Sequence, residues 1–152
     1  MRINTKVRYG LRVLIELGLH ESKNGMFQRE IAENQQLSQK YLDPIISSLK
    51  ATGLIMNSGG RKSGYILAKP KSEITVYDVY RSFEPELSII HCSNKPVTCF
   101  LSRVCVANEY WMGLNDTMTN YLKKTTLKSI ISKHQKIQKK IEKENQTINH
   151  CK

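Results

Sequence analysis

The stretch "LSQKYLDPIISSLKATGLIMNSGGRKSGYILAK", residues 37–69, decides how the rest of the chain is read. Leu42, Ile45, Ile46 and Leu49 recur at i, i+3, i+4 and i+7, which puts them on one apolar face of a helix. Ser38 has the side chain of an N-cap, and Gly53 supplies the stop. Pro44 complicates this helix because it lacks the amide that bonds the carbonyl of Lys40. Either the helix kinks there, or Asp43 is the N-cap and Pro44 the first helical residue. Beyond Gly53, the apolar runs 54–56 and 65–67 flank a Gly- and Ser-rich turn that carries Arg61 and Lys62. That pattern reads as a β-hairpin with a basic tip.

Upstream, Ile3, Val7, Leu11, Leu14 and Ile15 recur at helical spacing, so the first 20 residues form a helix with one buried face. "ESKNGMF" supplies turn residues around Gly25, and "QREIAENQQL" is a short helix with Ile31 and Ala32 facing inward, broken at Gln35 and Gln36. Helix, short helix, short helix, hairpin is the order of a winged helix-turn-helix. In that unit the third helix enters the major groove and the hairpin touches the backbone or minor groove. Such a unit needs no catalyst; it works by phosphate neutralisation and a few base-edge contacts near the start of the recognition helix. Ser38, Gln39, Lys40, Tyr41 and Asp43 occupy that start, with Gln39 and Lys40 expected to reach bases and Tyr41 a phosphate. Arg61 and Lys62 are the matching candidates on the wing.

Downstream, "EITVYDVYRSFE" reads as a short helix over 74–83. Tyr110, Trp111, Leu114, Met118, Tyr121 and Leu122 then form an aromatic-rich stripe on a further helix. A wing domain of roughly 80 residues is too small to cover that stripe, so a two-fold partner helix is expected. From Lys133 the chain is polar apart from Ile137 and Ile141, which suggests a frayed basic end. The expected fold is mainly α with a small β-hairpin. It divides into a winged helix-turn-helix domain over 1–83, a cysteine-bearing loop over 84–107, a dimerisation helix region over 108–132 and a basic tail over 133–152.

Charge supports a polyanionic partner. The net charge is +11, but residues 1–72 hold 12 Lys and Arg against 5 acids, 73–119 hold 3 against 6, and 120–152 hold 9 against 2. Two basic ends around a mildly acidic middle suit contact with nucleic acid through the ends. The N-terminus mimics a signal peptide, yet Arg12 and Glu16 interrupt its apolar run and no small-residue cleavage site follows. No run approaches the roughly 18 apolar residues of a membrane span, so a cytoplasmic protein is expected. His20, His91, His134 and His150 are scattered and pair with no nucleophile by spacing, so an enzyme is not expected.

Cys92, Cys99 and Cys105 fall within fourteen residues, and the fourth cysteine, Cys151, lies in the polar tail as an expected free thiol. Three close thiols pack as small hydrophobes, form disulfides or ligate a metal; a reducing compartment disfavours the disulfides. The pieces "MRINTKVRYGLRVLIELG", "LSQKYLDPIISSLKATGLI", "SGYILAK", "ITVYDVYRSFE" and "YLKKTTLKSII", in this order, resemble the Rrf-two family of bacterial winged-helix transcription regulators. That family includes repressors of iron–sulfur cluster assembly, nitric-oxide sensors and regulators of cysteine metabolism. The resemblance implies a homodimer on partly palindromic operator DNA and an iron–sulfur cluster, [2Fe-2S] by expectation, held by Cys92, Cys99 and Cys105.

Departures from the family pattern leave the fourth ligand open. The spacing is C-x6-C-x5-C where the family has C-x5-C-x5-C, Asn108 stands at the family's histidine position, and Arg8 at its acidic one. His91, Asn108, Glu109 or a residue of the partner subunit remain as donors. The wing reads "GGRKSGY" where the family often has "GGGY". The competing readings are a metal-free DNA-binding regulator that responds to a small ligand or to thiol oxidation, and a zinc-binding module.

Overall fold

A computed structural model describes residues 3–20, 22, 24–60, 63–90 and 104–150, with side chains as far as 143. Its elements run α1 (Thr5–Leu19), α2 (Gln28–Gln35), α3 (Gln39–Ala51), β1 (Ile55–Asn57), β2 (Tyr65–Leu67), α4 (Val76–Arg81), α5 (Val106–Lys124) and α6 (Leu127–His150). The mainly helical fold with one two-stranded antiparallel sheet is the architecture expected from the sequence. Among the described residues no helix is long and apolar enough to cross a membrane.

The stretch around α3 resolves the question at Pro44. Ser38 Oγ accepts the Tyr41 amide at 3.2 Å, so the cap is Ser38 and not Asp43, and the helix carries on through Pro44. An internal proline costs about 3 kcal/mol, but burial of a Leu or Ile side chain contributes about 1.5–3 kcal/mol. Leu42, Ile45, Ile46 and Leu49 are all buried, so packing prevails. At the C-terminus Gly53 has φ +67°; its amide donates to the Lys50 carbonyl and that of Leu54 to the Leu49 carbonyl, both at 3.0 Å. This paired return closes the helix end as a Schellman motif.

The core gathers Val13, Leu14 and Leu17 of α1 with Ile31, the α3 stripe, Ile55, Ile74, Val79, and Leu127 and Ile131 of α6. The buried face of α1 is turned from the one expected: Ile3 is exposed, Leu11 and Ile15 lie at the core edge, and Val13 is buried instead. Periodicity cannot foresee this, because α1 is covered from several sides. Phe83 packs where a Cβ on Gly10 would stand, and Ile131 does the same at Gly18.

The hairpin pairs Ile55 with Leu67, Met56 with Ile66 and Asn57 with Tyr65. Met26, in the loop before α2, adds a bridge to Tyr65. A Cβ on Gly64 would lie 2.6 Å from the Gly25 carbonyl carbon and the Met26 amide nitrogen, so only glycine allows this backbone approach.

The C-terminal half differs from expectation at its end. The region over 108–132 holds most of α5 and the start of α6, because the chain turns at Thr125 and Thr126. There the Val76 amide donates to the Thr125 carbonyl at 2.9 Å and the Leu127 amide to the Ile74 carbonyl at 2.8 Å. Those bonds pin the start of α6 to the start of α4. The polar end expected to fray from Lys133 continues instead as α6. Leu127 and Ile131 anchor its first turns in the core, and the good helix formers Lys, Gln and Glu propagate it from that nucleus.

Candidate nucleic-acid interface and cysteine segment

Four buried residues fix the inner side of α3, which leaves the other side to solvent. Ser38, Gln39, Lys40, Tyr41 and Asp43 are all exposed and clustered at its N-terminal end. Their roles differ once their partners are known. Gln39 and Lys40 project from the first turn. The Tyr41 ring packs edge-on against Tyr9, centroids 5.7 Å apart, and remains 37% exposed. The carboxylate of Asp43 accepts a hydrogen bond from Gln28 Nε2, the first residue of α2, and Gln28 also reaches the Gln39 carbonyl at 3.5 Å. Asp43 and Gln28 therefore lock α2 against the first turn of α3.

Gln28 escaped the sequence reading because its partner lies fifteen residues away, and no local pattern encodes that contact. The same holds for the network behind the turn. Glu16 of α1 accepts from Asn34 at 2.6 Å and from Gln35, while Arg12 Nε donates to Gln35 Oε1 at 2.7 Å. Arg12 also stands over the Tyr9 ring at 5.2 Å. These contacts hold the end of α2 where the chain turns through Gln36, a non-glycine residue at φ +54°. Glu33 raises the pKa of Arg29 through a 2.8 Å ion pair on the exposed side of α2.

Lys50 couples the far end of α3 to the wing. Its Nζ donates to Asn57 Oδ1 at 2.8 Å and lies 5.7 Å from the centre of the Tyr65 ring. Ser58 continues the hairpin by donating through its amide to the Gly64 carbonyl at 2.9 Å, and Gly59 and Gly60 follow at positive φ. Arg61 and Lys62 lie outside the described residues.

Of the three clustered cysteines, Cys92 and Cys99 lie outside the described residues, as does His91. Cys105 is a free, half-buried thiol at the N-cap of α5, and its side chain makes no capping bond to the helix. Glu109 stands one turn on, on the same helix face. Among the described residues no three His, Cys, Asp or Glu side chains are gathered to hold a metal ion. Thiolate donors suit iron–sulfur clusters and zinc, and the sulfur of Cys105, not engaged in capping, fits a ligand's role.

The helix that Cys105 opens is unlike the others. Among its described side chains none is buried, and Tyr110 and Tyr121 are 67% and 70% exposed. Trp111 and Leu114 are exposed with them, whereas Met118 and Leu122 lie partly against the domain, with Lys123 over the Tyr77 ring at 4.9 Å.

A buried-cored helix-turn-helix whose recognition helix is braced to a β-hairpin, followed by an uncovered long helix, defines a winged-helix DNA-binding protein. The family model described as Rrf2, iron-dependent transcriptional regulator, matches residues 3–133. The chain belongs to this family of transcriptional regulators, and its relatives are named as regulators and not as enzymes. It is 31% identical over 132 residues to the regulator CymR of Bacillus subtilis, covering 87% of this chain and 91% of the relative. The structure of that protein, described as the global cysteine regulator of B. subtilis, superposes with a TM-score of 0.72 over 87% of this chain and 97% of its own, at 29% identity. The structure of IscR from T. potens gives a TM-score of 0.72 at 26% identity, over 91% of each chain.

Proposed function

We propose that this chain is a homodimeric transcriptional repressor, working on operator DNA in the cytoplasm, whose binding is set by an iron–sulfur cluster on Cys92, Cys99 and Cys105. The observation that carries the reading is the position of Cys105, which immediately precedes the uncovered helix α5 with its sulfur unused for capping. A group held there acts on the start of the helix that joins two subunits, and so on the distance between the two recognition helices. A bound [2Fe-2S] cluster supplies a state that changes with redox conditions and iron supply. Glu109 and Asn108, in the first turn of α5, are the described candidates for a fourth donor.

In this dimer the exposed Tyr110, Trp111, Leu114 and Tyr121 meet their two-fold copies, and the recognition helices address major grooves about 34 Å apart. Gln39 and Lys40 read base edges, Tyr41 contacts a phosphate, and Arg61 and Lys62 of the wing hold the backbone. Asp43 belongs to the same surface as the partner of Gln28.

Anaerobic reconstitution with iron and sulfide tests the reading. The expected product absorbs in the visible, and Cys92→Ala, Cys99→Ala and Cys105→Ala each lose that absorption together with the cluster's effect on DNA binding. A protein that takes up no iron or sulfide overturns the cluster. The likeness to a relative described as a cysteine regulator favours a second reading, a metal-free regulator that answers a small ligand or thiol oxidation. It predicts colourless protein whose DNA affinity shifts with a thiol oxidant. Stoichiometric zinc without visible absorption marks the zinc-binding module.

A further inference from the structure

The family match ends at residue 133, but α6 continues to His150. What lies beyond the match is not featureless. At about 100° per residue, Lys133, Lys136, Lys139, Lys140 and Lys143 fall within an arc of roughly 120° on one side of the helix. All five are exposed, and from Gln135 to Lys143 every residue is exposed. The buried Leu127 and Ile131 stand opposite this arc, and Ile137 and Ile141, 60% and 51% exposed, lie between the two sides. One acid, Glu142, interrupts the basic residues between 133 and 143.

We propose that this lysine stripe on the C-terminal half of α6 is a second DNA-contacting element, which binds phosphates of the duplex beside those reached by the helix-turn-helix. The inference rests on the DNA-binding reading above and adds a surface to it. Charge and length point to this occupant. The stripe is about 15 Å long, and a duplex strand carries one phosphate per about 3.4 Å of axis, so about four phosphates lie within its span. The packing of α6 leaves the stripe open to this partner. Gln138 of α6 lines a hollow of about 490 Å³ together with Met26 and Asn34, and Met26 pairs with Tyr65 at the base of the wing. His134 and Gln138, the α6 residues that line the hollow, stand on the side of the helix opposite the lysines, so the domain's own packing leaves the stripe facing solvent.

The test measures the salt dependence of binding to a random-sequence duplex of about four helical turns, roughly 40 bp. The full-length protein is compared with the combined variant Lys136→Gln, Lys139→Gln, Lys140→Gln and Lys143→Gln. Each phosphate contact contributes about 0.9 to the slope of log K against log salt, so the variant is expected to lower the slope by about two or more and to bind at least tenfold more weakly at low salt. Arginine at the same four positions should restore both, which separates charge from helix damage, and circular dichroism should show the helix retained. Ile137→Gln with Ile141→Gln should leave the slope unchanged. Wild-type protein that binds duplex DNA without salt dependence fails the DNA-binding reading itself. Normal wild-type binding with an unaltered slope in the lysine variant overturns the stripe alone. So does a slope lowered as much in the isoleucine variant, which assigns the loss to damage of the helix and not to the lysine charges.

Discussion

The helix-turn-helix and α5 differ in what one chain supplies to each. Every apolar residue of the α3 stripe is buried in a core shared with α1, α2 and the first strand of the hairpin, so the reading head is complete within a single chain. α5 is nineteen residues long and buries none of its described side chains. The first region is stabilised by its own core, whereas the second has an apolar face that only another surface can cover. In the proposed dimer, each self-sufficient unit reads DNA and α5 sets the spacing of the two units.

Mutations separate the two regions most sharply where the effects are largest. Ile45→Ala should destabilise the domain by about 2–5 kcal/mol, measured by urea unfolding, because it opens a cavity in a fully buried site. Leu114→Asp should leave that unfolding transition nearly unchanged but weaken the proposed dimer by about 2 kcal/mol or more, seen as dissociation in sedimentation at micromolar concentration. If Leu114→Asp instead unfolds the monomer, α5 is part of the domain core and the contrast fails.

Smaller effects refine the reading surface. Lys40→Ala should cost about 1–3 kcal/mol against the operator and relax preference at one base position, while leaving stability unaltered. Uniform weakening across sequences would assign Lys40 to phosphate. Ser38→Ala should lower stability by about 1 kcal/mol through loss of the cap to Tyr41. Gln36→Gly acts in the opposite direction and should stabilise by up to about 1 kcal/mol, since a glycine meets φ +54° without steric cost. Thermal unfolding of this last variant checks whether the turn stores strain.

Much of the reading head was legible residue by residue. Leu42, Ile45, Ile46 and Leu49 declare their face by period, Ser38 and Gly53 mark the two ends of α3, and Ile31 and Ala32 mark the inner side of α2. Helix three's continuity through Pro44 was not legible, because it depends on how much apolar surface surrounds the helix. The tie between Gln28 and Asp43 was equally hidden. It changes Asp43 from an exposed acidic side chain at the start of α3 into a brace between two helices.

The order of elements, the apolar stripes of α3 and α5 and the two basic ends follow from the amino-acid sequence alone, because periodicity and charge are local properties of the chain. Tertiary structure alone decided which side of α1 is buried, where α5 ends and α6 begins, and that the lysines between 133 and 143 share one side of a standing helix. Each of those outcomes depends on partners distant in sequence: Phe83 on Gly10, Ile74 on Leu127, and Ile131 on Gly18. Burial by such partners selects among faces and boundaries that local propensity leaves nearly equal in free energy.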